Sequence, residues 1–357
     1  MLRFSTRTTI KHLSRTLNQG LLQDLTASCV TVADESAVLI RKIFKNGDLG
    51  VIDKGGLKNF QTEGDRAVQR LILKTLKTKY PQVTVIGEED GDDGEAGDEK
   101  VFDALAPEVM EKTFPKDLQD VAPERICIWV DPLDGTMEFI DRMLHHVTIL
   151  IGIAVDGKAI SGVVNQPFFG FDDESKNPIN GEDQSGESSV LDHSVLSSKN
   201  HFQRSCLRKN KTENDKKIIC TTRSHASHDV NACIEAMKPD EILRQGGAGN
   251  KVLRVIEGDA HAYVFASPGT KKWDTCAPEA ILVAMGGALT DMHGNVMPYD
   301  KNAKKPNSGG VLATISPKRR SGTWNMCPSL SGTILNSSLE ITQTPSFLVF
   351  ITVSIES

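Results

Sequence analysis

No apolar run in the 357 residues approaches the length of a membrane span; the longest near the end covers only residues 347–351. Paired cysteines are missing too. The seven, at 29, 127, 206, 220, 233, 276 and 327, are odd in number and form no CxxC pair. That excludes a disulfide framework and a zinc ribbon, and fits reduced thiols in a reducing compartment. Positive charge is short: the formal net charge of -6 argues against a nucleic-acid binder, whose partner demands a basic surface. A small phosphorylated ligand stays open, because charge inside a site need not follow net charge. No GxxxxGK[ST] run occurs, which excludes a P-loop NTPase.

What is present is an ordinary enzyme-like composition, 39% hydrophobic and 25% charged, long enough for one large layered domain or two subdomains. The first 19 residues are basic, with Arg3, Arg7, Lys11 and Arg15 among Ser and Thr and no acid. They fit a mitochondrial presequence, but a basic tail ahead of the first helix is the favoured reading. We therefore expect a cytoplasmic protein, with a mitochondrial one as the alternative.

Periodicity predicts helices over residues 21–44, 62–77, 229–237 and 275–285, with a further helix opened by residues 246–249 and a short one near Val109. Strands are expected at 83–86, 126–130, 147–155, 159–164, 218–221, 261–266, 288–292 and 310–314. Asp156-Gly157 marks a hairpin between two of them. Residues 88–120 read mostly as an acidic solvated loop. Residues 170–217 are too polar to offset their ordering entropy and are expected to be mobile. After Pro317 the pattern loses clear period. The expected organisation is a tail (1–19), a main domain (20–316) and an atypical tail (317–357). The domain itself divides into 20–168, the polar insert 170–217 and 218–316. Alternating helices and strands argue for an α/β (α+β) layered sandwich.

The richest local signal is Asp131-Pro-Leu-Asp-Gly-Thr136 at the end of an apolar strand. Pro132 fixes one backbone angle and Gly135 permits a tight reversal. Asp131, Asp134 and the Leu133 carbonyl can then converge as hard oxygen ligands of the kind that suits Mg²⁺. An Asp-Pro turn with one helix-capping Asp would look the same. Glu88 lies just past the strand at 83–86, where α/β sheets place their sites; its neighbours Glu89 and Asp90 read as the start of the acidic loop. Asp274 and Asp65 each stand at a helix start, where an Asp can cap, bind metal or do both. The two motif Asp residues are three apart, which fits an Asp-x-Asp-x-Thr phosphoenzyme nucleophile poorly. Gly246-Gly-Ala-Gly-Asn-Lys251 offers backbone N–H groups and a cation for a phosphate, or a plain turn.

Taken in order, Asp65, Gly87-Glu-Glu89, Asp131 to Thr136 and Trp273-Asp274 resemble the superfamily of inositol monophosphatase, fructose-1,6-bisphosphatase and bisphosphate nucleotidase. The runs at 147–154, 162–167, 221–225, 246–251, 262–269 and 271–279 are most similar to its 3'(2'),5'-bisphosphate nucleotidase branch. The resemblance covers about residues 20–168 and 217–314. It implies alternating helix and sheet layers and two or three Mg²⁺ ions. Glu88, Asp131 and the Leu133 carbonyl would hold the first ion; Asp131, Asp134 and Asp274 would hold the second. Asp65 would pair with Thr136, and Thr136 would accept a proton from the attacking water. Thr222, His225, Gly247 and Lys251 would contact the nucleotide.

The implied reaction is release of the 3'-phosphate of adenosine 3',5'-bisphosphate, giving AMP. The implied enzyme also accepts the sulfated analogue or inositol 1,4-bisphosphate and is inhibited by lithium. The implied partner is a small phosphorylated molecule, without nucleic acid or membrane, met by a monomer or weak homo-oligomer. An inositol monophosphatase-type enzyme and a catalytically impaired binding homologue are the alternatives. Three departures from the family stand out: Asn59 where an Asp is usual, the polar segment 170–217, and the tail after Pro317.

Overall fold

The computed structural model describes residues 20–55, 59–89, 100–171, 197–198, 201–202 and 216–315. The presequence expectation, the 317–357 tail and most of the 170–217 insert fall outside the described residues. In chain order the elements are α1 (Leu21–Asn46), β1 (Ile52–Asp53), β2 (Phe60–Gln61), α2 (Glu63–Lys79), β3 (Thr84–Gly87) and α3 (Pro107–Met110). There follow β4 (Ile126–Asp134), α4 (Thr136–Ile140), β5 (Thr148–Val155), β6 (Lys158–Asn165), β7 (Ser197–Ser198), β8 (His201–Phe202) and β9 (Ile218–Thr222). The last are α5 (His228–Met237), β10 (Glu241–Gln245), α6 (Ala248–Ile256), β11 (Ala262–Phe265), α7 (Lys272–Ala284), β12 (Ala288–Thr290) and β13 (Val311–Thr314).

Two sheets organise the chain. The first has the order β3-β4-β5-β6, with β3 parallel to β4 and the other pairs antiparallel. Every residue of β4 and β5 is buried, because helices cover both faces. That is why residues 126–130 and 149–155 read as unbroken apolar runs rather than alternating ones. Alternation still sorts the faces. Ile126, Ile128 and Val130 pack in the core shared with α1 and α2. Cys127 and Trp129 pack in the core shared with α6 and α7. The second sheet has the order β10-β9-β11-β13-β12 and closes that same core with Cys220, Tyr263, Phe265 and Val311. Its far face, Ile219, Val264 and Leu312, packs on α5 through Cys233, Ile234 and Met237. The result is five layers, helix–sheet–helix–sheet–helix, and it bears out the layered expectation.

Helix α7 lies close against the first sheet. A Cβ on Gly152 would fall 2.6 Å from Ala277 N, and one on Gly162 2.7 Å from Ala277 Cα. The expected hairpin forms at Asp156-Gly157, both with positive φ (49° and 74°), as a tight two-residue turn requires. Strand β10 was not expected from the sequence. It is an exposed edge strand whose polar residues carry little apolar alternation.

Candidate active site

The strand expected to end at Val130 instead runs on through Pro132 to Asp134. Its pairing with β5 slips between Asp131, opposite Leu150, and Asp134, opposite Thr148. This is a one-residue bulge, and it decides the site. Residues three apart on a regular strand point to opposite faces; one extra residue brings Asp134 to the same face as Asp131. Leu133 turns instead into the opposite core. The Asp131 carboxylate accepts the Leu133 N–H at 3.0 Å and holds the bulge in shape. Gly135, at φ 95°, then reverses the chain into α4.

Two further carboxylates arrive on helix N-termini. In α2, Thr62 is the N-cap, and Asp65 Oδ2 accepts the Thr62 N–H at 2.7 Å and its hydroxyl at 2.5 Å. Its other oxygen accepts the Thr136 hydroxyl at 3.0 Å, which makes the expected Asp65–Thr136 pair. Thr136 Oγ1 also lies 3.3 Å from the Leu133 carbonyl. In α7, Asp274 sits one turn inside, and its Oδ2 accepts the Lys271 N–H at 2.6 Å. Asp274 was expected at the start of that helix; the helix begins at Lys272 instead, with Lys271 as its N-cap.

The start of α6 departs from the sequence expectation. The N–H groups of Ala248 and Gly249, expected to meet a substrate phosphate, donate to Asp134 at 2.7 and 2.8 Å. The Thr148 hydroxyl donates to the same carboxylate at 2.6 Å. The helix N-terminus thus holds a protein carboxylate, and its dipole favours that charge. Gly247 makes the approach possible. It has φ 64°, and a Cβ there would lie 2.5 Å from the His146 carbonyl and 3.0 Å from Asp134.

Asp131, Asp134 and Asp274 bring one oxygen each within 4.8 Å of one another, the only such group of metal-ligating type among the described residues. Burial pushes Asp134 up to about 6, with the Asp274 charge adding to it and Lys251 opposing. Burial, then the charges of Glu88, Asp134 and Asp274, raise Asp131 well above the usual carboxylate range. Glu88 is pushed up to about 8 by desolvation and the Asp274 charge, against Lys271, whose ammonium is 4.0 Å away. These carboxylates repel one another at close range. A divalent cation among them would relieve that repulsion, and an all-oxygen donor set suits Mg²⁺. The residues present therefore fit such an ion.

A cavity of about 170 Å³ opens over this cluster. Glu88, Asp131, Leu133, Asp134, Thr136 and Asp274 line one part of its wall, and Thr222, His225, Gly247 and Lys251 another. Asp65 stands behind, buried, and reaches the cavity through Thr136. Every expected site residue is therefore at one place. Lys251 is buried, donates to the Gly247 carbonyl at 2.7 Å and lies 5.2 Å from the Tyr263 ring centre. His225 is exposed; its N–H donates to Thr222 Oγ1 at 3.1 Å, and its Nδ1 is 2.9 Å from Ser224 Oγ.

Sequence reading missed Thr148, Lys271 and Arg223. Arg223 bridges Glu138 (3.2 Å) and Asp141 (2.7 Å), and so ties the chain just after β9 to α4 and the residue that follows it. Lys271 had a signal, its place beside Trp273-Asp274. Thr148 had none, because its partner is distant in sequence.

Stacked helix and sheet layers with buried carboxylates at a strand end define a layered α/β protein with an acidic centre. The model of the inositol monophosphatase family matches residues 21–323, and the chain belongs to that family. Rat (Rattus norvegicus) 3'(2'),5'-bisphosphate nucleotidase 1 is 43% identical over 302 residues, which is 84% of this chain and 92% of that protein. The Dictyostelium discoideum protein of the same name is 34% identical over 310 residues, 85% of this chain and 96% of its own. Inositol monophosphatase II from Staphylococcus aureus superposes with a TM-score of 0.53 at 17% identity, over 87% of this chain and 98% of that one. That last likeness concerns the fold alone.

Proposed function

We propose that the chain is a phosphomonoesterase that hydrolyses the 3'-phosphate of adenosine 3',5'-bisphosphate to AMP and phosphate. The observation that carries this reading is one cavity, walled by the carboxylate cluster and Thr136 and also by Thr222, His225, Gly247 and Lys251. The named nucleotidase relatives, alike over most of both chains, support the choice of substrate. Glu88, Asp131 and the Leu133 carbonyl would hold one Mg²⁺; Asp131, Asp134 and Asp274 would hold a second. When bound, such ions supply Lewis acidity and offset the charge of the phosphate oxygens.

The chain's own groups position and accept the proton. Thr136 Oγ1 donates to Asp65, so its lone pairs face away from that bond. It can accept a proton from an attacking water while passing its own to Asp65. Burial lifts Asp65 to about 6, with the Glu89 charge adding to the lift and the Thr62 and Thr136 hydrogen bonds opposing it. A carboxylate there is a fit acceptor near neutral pH. The Lys251 ammonium and the Thr222–His225 loop would hold the rest of the nucleotide. The 5'-phosphate would meet side chains here, since the Ala248 and Gly249 amides serve Asp134.

No helix among the described residues is long and apolar enough to cross a membrane. We propose a cytoplasmic enzyme, with a mitochondrial one as the alternative, acting as a monomer or weak homo-oligomer. The test is phosphate release from adenosine 3',5'-bisphosphate beside inositol 1-phosphate, with Mg²⁺ and with or without lithium. We expect nucleotide turnover that needs Mg²⁺ and is suppressed by lithium. Turnover of inositol 1-phosphate alone would refute the nucleotide reading.

A further inference from the structure

Glu88 has a weaker local support than the other carboxylates of the cluster. Strand β3 ends at Gly87, and the Glu88 N–H makes the last ladder bond to the Val130 carbonyl, at 3.1 Å. Beyond it, the Glu89 backbone is held by a side chain from another element. Gln69 Nε2 donates to the Glu89 carbonyl at 2.6 Å, and Gln69 Oε1 accepts the Glu89 N–H at 2.8 Å. The carboxamide offers a donor and an acceptor in one plane, as a neighbouring strand would, and so extends the ladder by one residue. Gln69 is 1% exposed, so water does not compete for either bond.

A separate observation fits the same clamp. A Cβ on Gly87 would lie 2.4 Å from Gln69 Oε1 and 2.7 Å from its Cδ. The carboxamide thus fills the space a side chain at 87 would need. The Glu89 carboxylate is tied independently, by Lys54 at 3.0 Å and Gln61 at 2.6 Å, so Gln69 acts on the backbone. Gln69 also stands one turn after Asp65 on α2, a spacing that shares one helix face. One rigid helix therefore sets both the acceptor for Thr136 and the turn that carries Glu88.

We propose that Gln69 is a positioning residue for Glu88, fixing its backbone so that the carboxylate meets the cation at the Asp131 cluster. This rests on the metal-site reading above. No other side chain repeats the clamp: Asn is a methylene short, and Leu or Met fills the volume but leaves the buried Glu89 N–H and C=O unpaired.

The test uses the full chain and the variants Gln69→Met and Gly87→Ala, the second pushing the carboxamide out from the other side. Mg²⁺ binding is measured by calorimetry without substrate, and Mg²⁺ activation and substrate KM are measured in parallel. We expect either variant to weaken Mg²⁺ binding roughly 10- to 100-fold, the range for supporting partners of metal ligands. KM at saturating Mg²⁺ should stay within about threefold, and kcat should recover as Mg²⁺ is raised. Ile72→Val, in the core on the same helix, loses stability without touching the turn and should bind Mg²⁺ as the parent does. Wild-type Mg²⁺ affinity in a folded Gln69→Met or Gly87→Ala protein would overturn the proposal. So would equal weakening in Ile72→Val. A parent that binds Mg²⁺ but ignores the nucleotide would refute the substrate reading and leave this one standing; a parent that binds no Mg²⁺ would sink both.

Discussion

Replacing Asp65 with Asn separates proton acceptance from architecture, and the geometry sets the size of the effect. The Asp65 carboxylate accepts three hydrogens, two from Thr62 and one from Thr136. An Asn has one accepting oxygen. The two Thr62 donors will claim it, because they cap α2 from 2.7 and 2.5 Å. The amide NH₂ then faces Thr136 Oγ1 and turns that hydroxyl from donor to acceptor. Its hydrogen must swing to the Leu133 carbonyl, at 3.3 Å, or into the cavity. Either way, the lone pair that would take the proton is blocked and the final acceptor is neutral. A positioned acid–base group is worth about 10²–10⁴ in rate, so kcat should fall by that much. Stability should move far less. A charge-assisted bond of roughly 1.5–3 kcal/mol is lost, but so is the desolvation of a buried charge. Mg²⁺ binding should stay within about threefold, since Asp65 is outside the cluster. Steady-state phosphate release and calorimetric Mg²⁺ titration on one preparation decide it. A kcat within threefold of the parent would refute the proton role for the Asp65–Thr136 pair.

Two other outcomes are expected. Gly247→Ala places a Cβ at φ 64° and 2.5 Å from the His146 carbonyl, so urea unfolding should show a loss of about 2–4 kcal/mol; a change under 0.5 kcal/mol would mean the loop adapts freely. Glu279 is pushed up to about 8 by burial, against the Tyr299 hydroxyl at 2.5 Å and the Lys272 charge. The folded carboxyl therefore holds its proton more tightly than the unfolded one near 4.5. Stability should fall as pH rises through that window and level off above it, by about 1.4 kcal/mol per pH unit at most. Glu279→Gln should flatten the Tm-against-pH curve between pH 6 and 8, and an unchanged slope would show that this carboxyl ionises elsewhere.

Much of this architecture was legible because local chemistry and tertiary role coincide. After Thr148 the residues of β5 are apolar without a break, and only a strand covered on both faces permits that. Asp156-Gly157 could adopt its turn from local preference alone. Thr62 and Asp65 announce a helix start and also supply the site, so one signal served both readings. What stayed hidden depends on partners far away in the chain. The bulge at Pro132 shows only once β4 and β5 are paired, yet it alone puts Asp134 beside Asp131. The 246–251 run promised free amides, and nothing nearby in sequence showed that Asp134 would take them. Gln69 looks like a polar flaw on the buried face of α2, because the backbone it serves is twenty residues away.

The site gathers three helix N-termini and four mutually repelling carboxylates, Glu88, Asp131, Asp134 and Asp274, and these features explain each other. Asp65 and Asp274 cap their own helices, while Asp134 receives the first amides of α6. Each helix end stabilises one negative charge, which lets acids stand buried at close range without scattering the fold. The hydrogen bonds do not neutralise the cluster, however. Burial first, and then the charges of their neighbours, still hold Asp131 and Glu88 above the usual carboxylate range. A cation is the group that removes such repulsion, so the same arrangement that costs stability favours a bound metal ion. Ligands held by capping and by the Gln69 clamp cannot splay apart to relieve their charge. That rigidity keeps the cluster at the spacing an ion needs.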